Sequence, residues 1–279
     1  MHRLIRKIIA GLFAVIFCGG CGLQKSNIEE PDLEVSVKEQ VLVAELKKEL
    51  KKTNIPTKEE AERMIRVRNA DNGFLFLDDG MYAIDQNGYL RKNQTIDFLN
   101  FDANGKYTSG NDELDKVVWE IIKPILADCK GRGDALRQAY RYVVENIRYV
   151  GQMNHNLSWE TSDGEDGWMV PQALQALTDG YGNCYSYAAA FTALARNLGY
   201  QAYAVGGIIG AADQPHGWCE IIGEDGALYM NDPETEWAVK HGMNKDRDLF
   251  WKKPSEIGAE TGLSYTPFNL PDERLFPAI

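Results

Sequence analysis

Three residues in the second half of the chain have the types and the order that thiol-based acyl transfer needs. Cys184 follows the run Gly180-Tyr-Gly-Asn, His216 comes next in Pro-His-Gly-Trp, and Asp232 comes last in Asn-Asp-Pro. In such chemistry a thiolate attacks an amide carbonyl, an imidazole moves the proton and a carboxylate orients the imidazole. We therefore predict that Cys184 is the nucleophile, His216 the general base and Asp232 the orienting residue.

The pattern around Cys184 predicts that the thiol lies in the first turn of a helix. Phe191, Leu194 and Leu198 recur at helical spacing after it, and Gly199 is typical of a helix end. The partial positive charge and free N–H groups of a helix start lower the pKa of a thiol and can bind an oxyanion. We favour the N–H of Cys184 as the oxyanion donor; the side-chain alternatives are Gln172, Gln175, Trp168 and Tyr181.

A β-hairpin is predicted to bring His216 and Asp232 together. Apolar and polar residues alternate over 218–222, a Gly-Glu-Asp-Gly turn follows, and a second strand covers 227–230. The turn places the start of one strand beside the end of the next, so the carboxylate can hold the imidazole by one nitrogen. Taken singly, Asp232 could be only a turn former and His216 a structural residue, but the order of all three residues favours catalysis.

The whole arrangement resembles the transglutaminase-like superfamily over roughly residues 134 to 240. The resemblance rests on Gly-x-Cys at a helix start, a strand over 201–207, His-Gly-Trp and Asn-Asp-Pro. It implies an α+β fold with a papain-like core, in which the Cys-bearing helix packs on a short antiparallel sheet, and it implies no cofactor. Members of that superfamily include cross-linking enzymes, cysteine peptidases, amidases and proteins that have lost activity. We expect the substrate to contact Trp218, which matches the aromatic residue after the His, and also Trp168 and Tyr181.

The remaining cysteines and histidines have simpler interpretations. Cys184 itself could be an inert buried thiol, and Cys219 is either a core residue or the partner of Cys129 in a disulfide. His155, in a long polar loop over 150–170, is either a substrate contact or solvated. No metal site is predicted, because the four histidines show neither His-x-x-x-His nor Cys-x-x-Cys spacing.

The N-terminus is predicted to be an export signal. A basic start is followed by an apolar run over 8–17 that is too short to span a bilayer, and then by Gly20 and Cys21. The Gly20-Cys21 junction resembles a bacterial lipobox, in which the cysteine is lipidated, although Cys18 stands where that motif usually has Leu. An uncleaved anchor and simple secretion are the alternatives to lipidation at Cys21.

Four segments follow from the pattern along the chain. We predict a signal peptide over 1–21, a tether with N-terminal helices over 22–72, a β-hairpin repeat segment over 73–110 and the transglutaminase-like domain over 111–279. In the repeat segment, Asp85 and Asp102 begin two similar Asp-x-Asn-Gly turns. The segment resembles the aromatic and glycine repeats of choline-binding cell-wall modules, whereas a plain β-meander packed on the main domain is the simpler interpretation.

The overall charge limits the partners that the protein can have. The formal net charge of -11 argues against a nucleic-acid partner. The expected partners are a peptide or protein substrate at the cell surface, a possible cell-wall glycan, and the membrane through a lipid anchor. We therefore expect an extracytoplasmic enzyme for acyl transfer on amides, with water favoured over an amine as the acceptor. The alternative is a non-catalytic wall-binding or glycan-binding lipoprotein.

Overall fold

The computed structural model describes residues 56–151, 168–210 and 214–268. The predicted signal peptide, the lipidation site at Cys21, most of the tether and the loop residue His155 lie outside these ranges. Within them, no helix is both long enough and apolar enough to cross a membrane.

The described part of the chain is α+β, as predicted, and its helices and strands follow the order of the sequence segments. The helices are α1 (Lys58–Asn69), α2 (Asp112–Asp128), α3 (Arg132–Asn146), α4 (Met169–Asp179), α5 (Cys184–Arg196), α6 (Pro233–Met243) and α7 (Pro254–Thr261). The strands are β1 (Phe74–Leu77), β2 (Gly80–Ala83), β3 (Gln94–Ile96), β4 (Leu99–Phe101), β5 (Tyr107–Thr108), β6 (Arg148–Tyr149), β7 (Tyr181–Gly182), β8 (Gln201–Ile209), β9 (Gln214–Ile222), β10 (Leu228–Asn231) and β11 (Tyr265–Pro267).

A four-stranded antiparallel sheet forms the platform of the main domain. Its strand order is β10-β9-β8-β11, and α5 packs across β8 and β9. Every residue of α5 is buried, and the run of three alanines from Ala188 to Ala190 keeps the helix thin where other elements surround it. The predicted Cys-bearing helix on a short antiparallel sheet is therefore confirmed.

The two Asp-x-Asn-Gly segments form the same turn. Asp85 Oδ1 accepts the N–H groups of Asn87 and Tyr89 at 2.8 and 2.9 Å, and Asp102 Oδ1 accepts the equivalent pair from Asn104 and Lys106, both at 2.8 Å. The glycine that ends each turn, at 88 and 105, has a positive φ of 79° and 85°. Each is a three-residue loop that ends in a left-handed glycine, so the repeat reflects shared turn chemistry.

The aromatic side chains of this segment mostly face its own interior. Phe101 and Tyr107 are buried together with Phe74, Met81 and Leu99. At the tip of the β3–β4 hairpin, the ring of Phe98 packs on Tyr203 of the main sheet and under the Arg196 guanidinium. These contacts agree with the β-meander interpretation; the resemblance to choline-binding repeats stays a prediction.

Two prolines lie within helices. Pro124 lies inside α2, which continues to Asp128, and apolar residues on both sides of the proline pack against the core. Pro171 lies in the first turn of α4, which starts at Met169, and its missing N–H has no helical partner to lose there.

The hydrogen bonds that Asp85 accepts in its turn should contribute to the free energy of unfolding. We expect Asp85→Ala to lower the free energy of unfolding by about 1–2 kcal/mol, because two backbone N–H groups lose their acceptor. Gln86→Ala, an exposed residue of the same loop, is the matched control and should leave stability nearly unchanged. Chemical denaturation measures both variants, and equal effects from the two would contradict this account of the turn.

Candidate active site

Cys184 occupies the first position of α5, where the thiol can meet both a helix start and the sheet. Asn183 caps the helix, and its side-chain oxygen accepts the N–H groups of Tyr185 and Ser186 at 3.1 and 3.3 Å. The N–H of Cys184 is the first-turn donor that this cap does not take. The residue is 8% exposed and belongs to the buried core of the domain.

A glycine lets the first turn of α5 come close to the strand that carries His216. A Cβ atom at Gly217 would lie 2.9 Å from Cα and 2.8 Å from Cδ1 of Tyr185, the residue after Cys184. Contacts this short to backbone atoms do not occur between real side chains. A residue larger than glycine at 217 would therefore push the thiol away from the imidazole.

The structure brings the three predicted side chains together. His216 Nε2 lies 2.8 Å from Asp232 Oδ2, and the Cys184 thiol hydrogen-bonds the same imidazole. Since Nε2 is engaged with the carboxylate, Nδ1 is the nitrogen left for the thiol. His216 is 3% exposed and Asp232 is fully buried, so this contact is shielded from water.

The position of Asp232 is set by the helix that it caps. Asp232 is the N-cap of α6, and its Oδ1 accepts the N–H of Thr235 at 3.0 Å. The second hairpin strand, predicted over 227–230, ends at Asn231, so Asp232 is the first residue after it. The helix start supplies both a donor and partial positive charge for a carboxylate that has no contact with water.

His216 and Asp232 each stabilise the ionised form of the other. Burial by itself lowers the pKa of His216, but the charge and hydrogen bond of Asp232, with the Cys184 thiol, outweigh it and hold that pKa well above 6.5. Burial likewise raises the pKa of Asp232, but the His216 charge and hydrogen bonds from His216 and Thr235 keep it below 3.8. At neutral pH the site is therefore arranged for an imidazolium beside a carboxylate.

Tyr265 completes the set of donors around Asp232, and sequence analysis missed it. Its hydroxyl donates to Asp232 Oδ2 at 2.8 Å, and its ring packs edge-on against Trp218. Tyr265 lies on β11, which joins the sheet beside β8, far from the motif in the sequence. No signal in the sequence marks it, because the contact arises only when β11 is added to the sheet.

Glu234 is a second residue that sequence analysis missed. Its carboxylate oxygen Oε2 lies 3.7 Å from His216 Nδ1, and its side chain is 12% exposed. Burial first, and then the charge of Asp232, raise the pKa of Glu234 to about 7, against the opposing effect of His216. The Asp-Pro-Glu order, which puts a second carboxylate two residues after the predicted orienter, was the available signal.

Within the described ranges, His216, Asp232 and Glu234 form a cluster whose ligand-type atoms lie within 4.8 Å of one another, as a metal site would require. The bonding of Asp232 does not fit such a site. Its Oδ2 already accepts from His216 and Tyr265, and its Oδ1 accepts from Thr235. A metal would have to break these hydrogen bonds, so the arrangement suits proton transfer better than metal binding.

The residues predicted to contact substrate lie in different surroundings. Trp218 is fully buried, its ring packs beside His216, and its indole N–H donates to Glu220 at 2.9 Å. The buried ring of Trp218 packs against the imidazole, and its contact with substrate stays a prediction. Trp168 packs edge-on against Tyr185, next to the thiol, and Tyr181 is half-buried on β7.

Three of the four side-chain alternatives for the oxyanion hole have hydrogen bonds to other residues. Gln172 Oε1 accepts the hydroxyl of Ser186 at 2.5 Å, and Gln175 Nε2 donates to the Tyr181 hydroxyl at 3.3 Å. The N–H of Cys184 remains the donor we favour.

Cys129 and Cys219 are free thiols, so the disulfide alternative is not realised. Burial raises the pKa of the Cys219 thiol to about 12.

We expect Tyr265→Phe to slow alkylation of Cys184 by about threefold to tenfold and to lower stability by about 1.5–3 kcal/mol, the usual cost of losing a hydrogen bond to a charged group. The acid limb of the pH profile of alkylation should move to higher pH, because Asp232 loses a donor that favours its ionised form. Tyr229→Phe is the matched control, since its hydroxyl donates to Asp225 outside the site at 2.8 Å. An unchanged pH profile in Tyr265→Phe would show that Tyr265 only packs.

Gly217→Ala tests the close approach of α5 to β9. We expect alkylation of Cys184 to slow by about tenfold or more, because small displacements of reacting groups are costly. Gly242→Ala, where an added Cβ meets nothing within 4 Å, is the control. Normal reactivity in Gly217→Ala would mean that the first turn of α5 can shift without loss of the thiol–imidazole contact.

The chain is similar to known proteins over part of its length. No curated protein matches the chain. A protein from Cytophaga hutchinsonii, provisionally named a cysteine protease, has a crystal structure that is similar at a TM-score of 0.33 and 18% identity, over 57% of this chain and 48% of that one. The match thus spans about half the length of that protein. Residues 120–237 match the family model of the transglutaminase-like superfamily. This segment contains Cys184, His216 and Asp232, so the three side chains lie in the part of the chain that is similar to the transglutaminase-like superfamily.

Proposed function

We propose that the protein is an extracytoplasmic cysteine hydrolase that cleaves amide bonds of peptides or proteins through a thioester. One observation carries the proposal: a single buried imidazole is held by the Asp232 carboxylate at Nε2 and also interacts with the Cys184 thiol. This is the nucleophile, base and orienter arrangement that acyl transfer requires.

The geometry supports a two-step reaction. The Cys184 thiolate attacks the amide carbonyl, and the N–H of Cys184 stabilises the oxyanion at the start of α5. The tetrahedral intermediate collapses as His216 gives the Nδ1 proton to the leaving nitrogen, which breaks the C–N bond and leaves a thioester. Water then attacks the thioester, His216 takes its proton, and the acid product leaves as the thiolate is restored.

Asp232 acts through His216 in both steps. With Nε2 tied to the carboxylate, the imidazole ring cannot rotate away from the thiol. The same carboxylate stabilises the imidazolium that forms when the thiol loses its proton. Asp232 remains ionised, because the hydrogen bonds from His216, Thr235 and Tyr265 favour its charged form.

The location and the substrate class rest on the N-terminal sequence. The basic start, the apolar run over 8–17 and the Gly20-Cys21 junction support export and a lipid anchor at Cys21. An enzyme anchored on the outer side of the membrane encounters cell-wall peptides and surface proteins, and these are the substrates we propose. Water is the proposed acceptor, as no second subsite for an amine is marked in the sequence.

A labelling experiment tests the enzymatic proposal. We expect iodoacetamide at pH 6 to alkylate Cys184 in the full-length protein at least about tenfold faster than free cysteine, because an imidazolium stabilises the thiolate. His216→Ala should remove this advantage. His241→Ala, which changes an exposed histidine of α6, is the matched control and should keep the fast reaction.

Labelling of Cys184 no faster than free cysteine would overturn the enzymatic proposal, and retention on cell-wall material would then support the binding-protein alternative. A comparison of surface proteins from cells with the wild type and with Cys184→Ala identifies the substrates. Cleaved products that depend on Cys184 support hydrolysis, whereas cross-linked products that depend on it support transfer to an amine.

A further inference from the structure

Glu234 is a buried carboxyl group whose hydrogen-bonding capacity is not used by the described part of the chain. No donor in the described ranges lies within hydrogen-bonding distance of its oxygens, and the one charged contact is the 3.7 Å approach of Oε2 to His216 Nδ1. Its neighbour Asp232, by contrast, accepts hydrogen bonds on both oxygens. The carboxyl group is mostly buried, with 12% of its side chain exposed, so it can exchange a hydrogen bond with a group that enters the site.

The position of Glu234 identifies which part of a substrate would supply that donor. His216 Nε2 is engaged with Asp232, so Nδ1 faces the thiol and gives its proton to the leaving nitrogen. Glu234 lies on that same side of the ring. The atom that comes within reach of both Nδ1 and the Glu234 carboxyl is therefore the nitrogen of the amine that departs.

We propose that Glu234 binds and protonates the leaving amine, so that the enzyme prefers amides whose leaving group carries no carboxylate near the nitrogen. This inference rests on the proposed function and assigns Glu234 a role in it. It predicts cleavage of internal or side-chain amide bonds and discrimination against release of a single C-terminal amino acid, whose carboxylate would face Glu234.

The proton transfers balance. When the C–N bond breaks, its electron pair goes to nitrogen, which takes the Nδ1 proton and leaves as a neutral amine. The neutral Glu234 carboxyl then gives its proton to that amine, which forms an ammonium–carboxylate pair, and Glu234 regains a proton from water after the ammonium departs. An ammonium has no lone pair to attack the thioester, so this step favours water as the acceptor.

The groups that face Glu234 come from four elements. They are Tyr187 of α5, Tyr149 of β6, His216 of β9, and Asp232 at the start of α6. Burial and the charge of Asp232 raise the pKa of Glu234 to about 7, so it can hold a proton near neutral pH and is a carboxylate above it. His216 is the one basic group of this set, which leaves the surroundings suited to an ammonium.

The charge preference at the thiol can be measured before any substrate is known. Full-length protein in mild detergent is treated with two methanethiosulfonate reagents of similar size, the cationic 2-aminoethyl and the anionic 2-sulfonatoethyl compound, and the adduct is mapped to Cys184. The ratio of the two rates cancels the fraction of thiolate. We expect this ratio to rise by about tenfold from pH 6 to pH 8.5 as Glu234 ionises.

Glu234→Gln should flatten this rise, whereas Glu120→Gln, the same change at an exposed position on α2, should keep it. A ratio that is flat in the wild type, or equally pH-dependent in Glu234→Gln, overturns the proposal. If Cys184 reacts with both reagents no faster than free cysteine, the proposed function fails, and the role of Glu234 fails with it. The charge ratio and the absolute rate thus separate the two failures.

Thermal unfolding gives a second measurement. Because the pKa of Glu234 is raised from 4.5 to about 7, the folded state binds the proton more tightly and loses stability as pH rises through that window. Glu234→Gln escapes this loss, so its melting temperature should exceed that of the wild type at pH 8 and match it near pH 4.5. A lower melting temperature at pH 8 would mean that Glu234 holds the fold together, which contradicts the proposal.

Discussion

The contact between His216 and Asp232 is the interaction on which the site depends, because both groups are buried and each needs the other. A buried carboxylate or imidazolium alone would be costly, and the pair is tolerated because hydrogen bonds complete it. Asp232 receives those bonds from three directions: the imidazole on β9, the first turn of α6, and Tyr265 on β11. Three separate elements must therefore be in place before the imidazole is held.

The thiol is brought to this pair by close packing and not by a long side chain. Cys184 is short, so the helix that carries it must lie directly on the sheet. Gly217 removes the side chain that would keep them apart, and the alanines of α5 allow the helix to be surrounded on all sides. The complete burial of α5 therefore stabilises the fold and also fixes the position of Cys184, because a closely packed helix cannot shift.

Two carboxylates, two positions apart, have opposite environments in this site. Asp232 has its donors within the fold, and its pKa is lowered; Glu234 has none in the described ranges, and its pKa is raised. Groups of the same type whose environments push their pKa values apart commonly divide acid–base work between them. Asp232 stabilises charge on the imidazole, and Glu234 is left free to exchange a proton with whatever enters.

The amino-acid sequence by itself determined the α+β class, the helix start at Cys184, the order of the three site residues and the two Asp-x-Asn-Gly turns. These depend on local chemistry: caps, glycines and apolar spacing that act over a few residues. Only the tertiary structure decided that Trp218 lies behind the imidazole, that Tyr265 donates to Asp232, and that Glu234 lies at Nδ1. Those facts depend on which strands are neighbours and on which face of a helix is covered, and side chains far apart in sequence meet only after the sheet has formed.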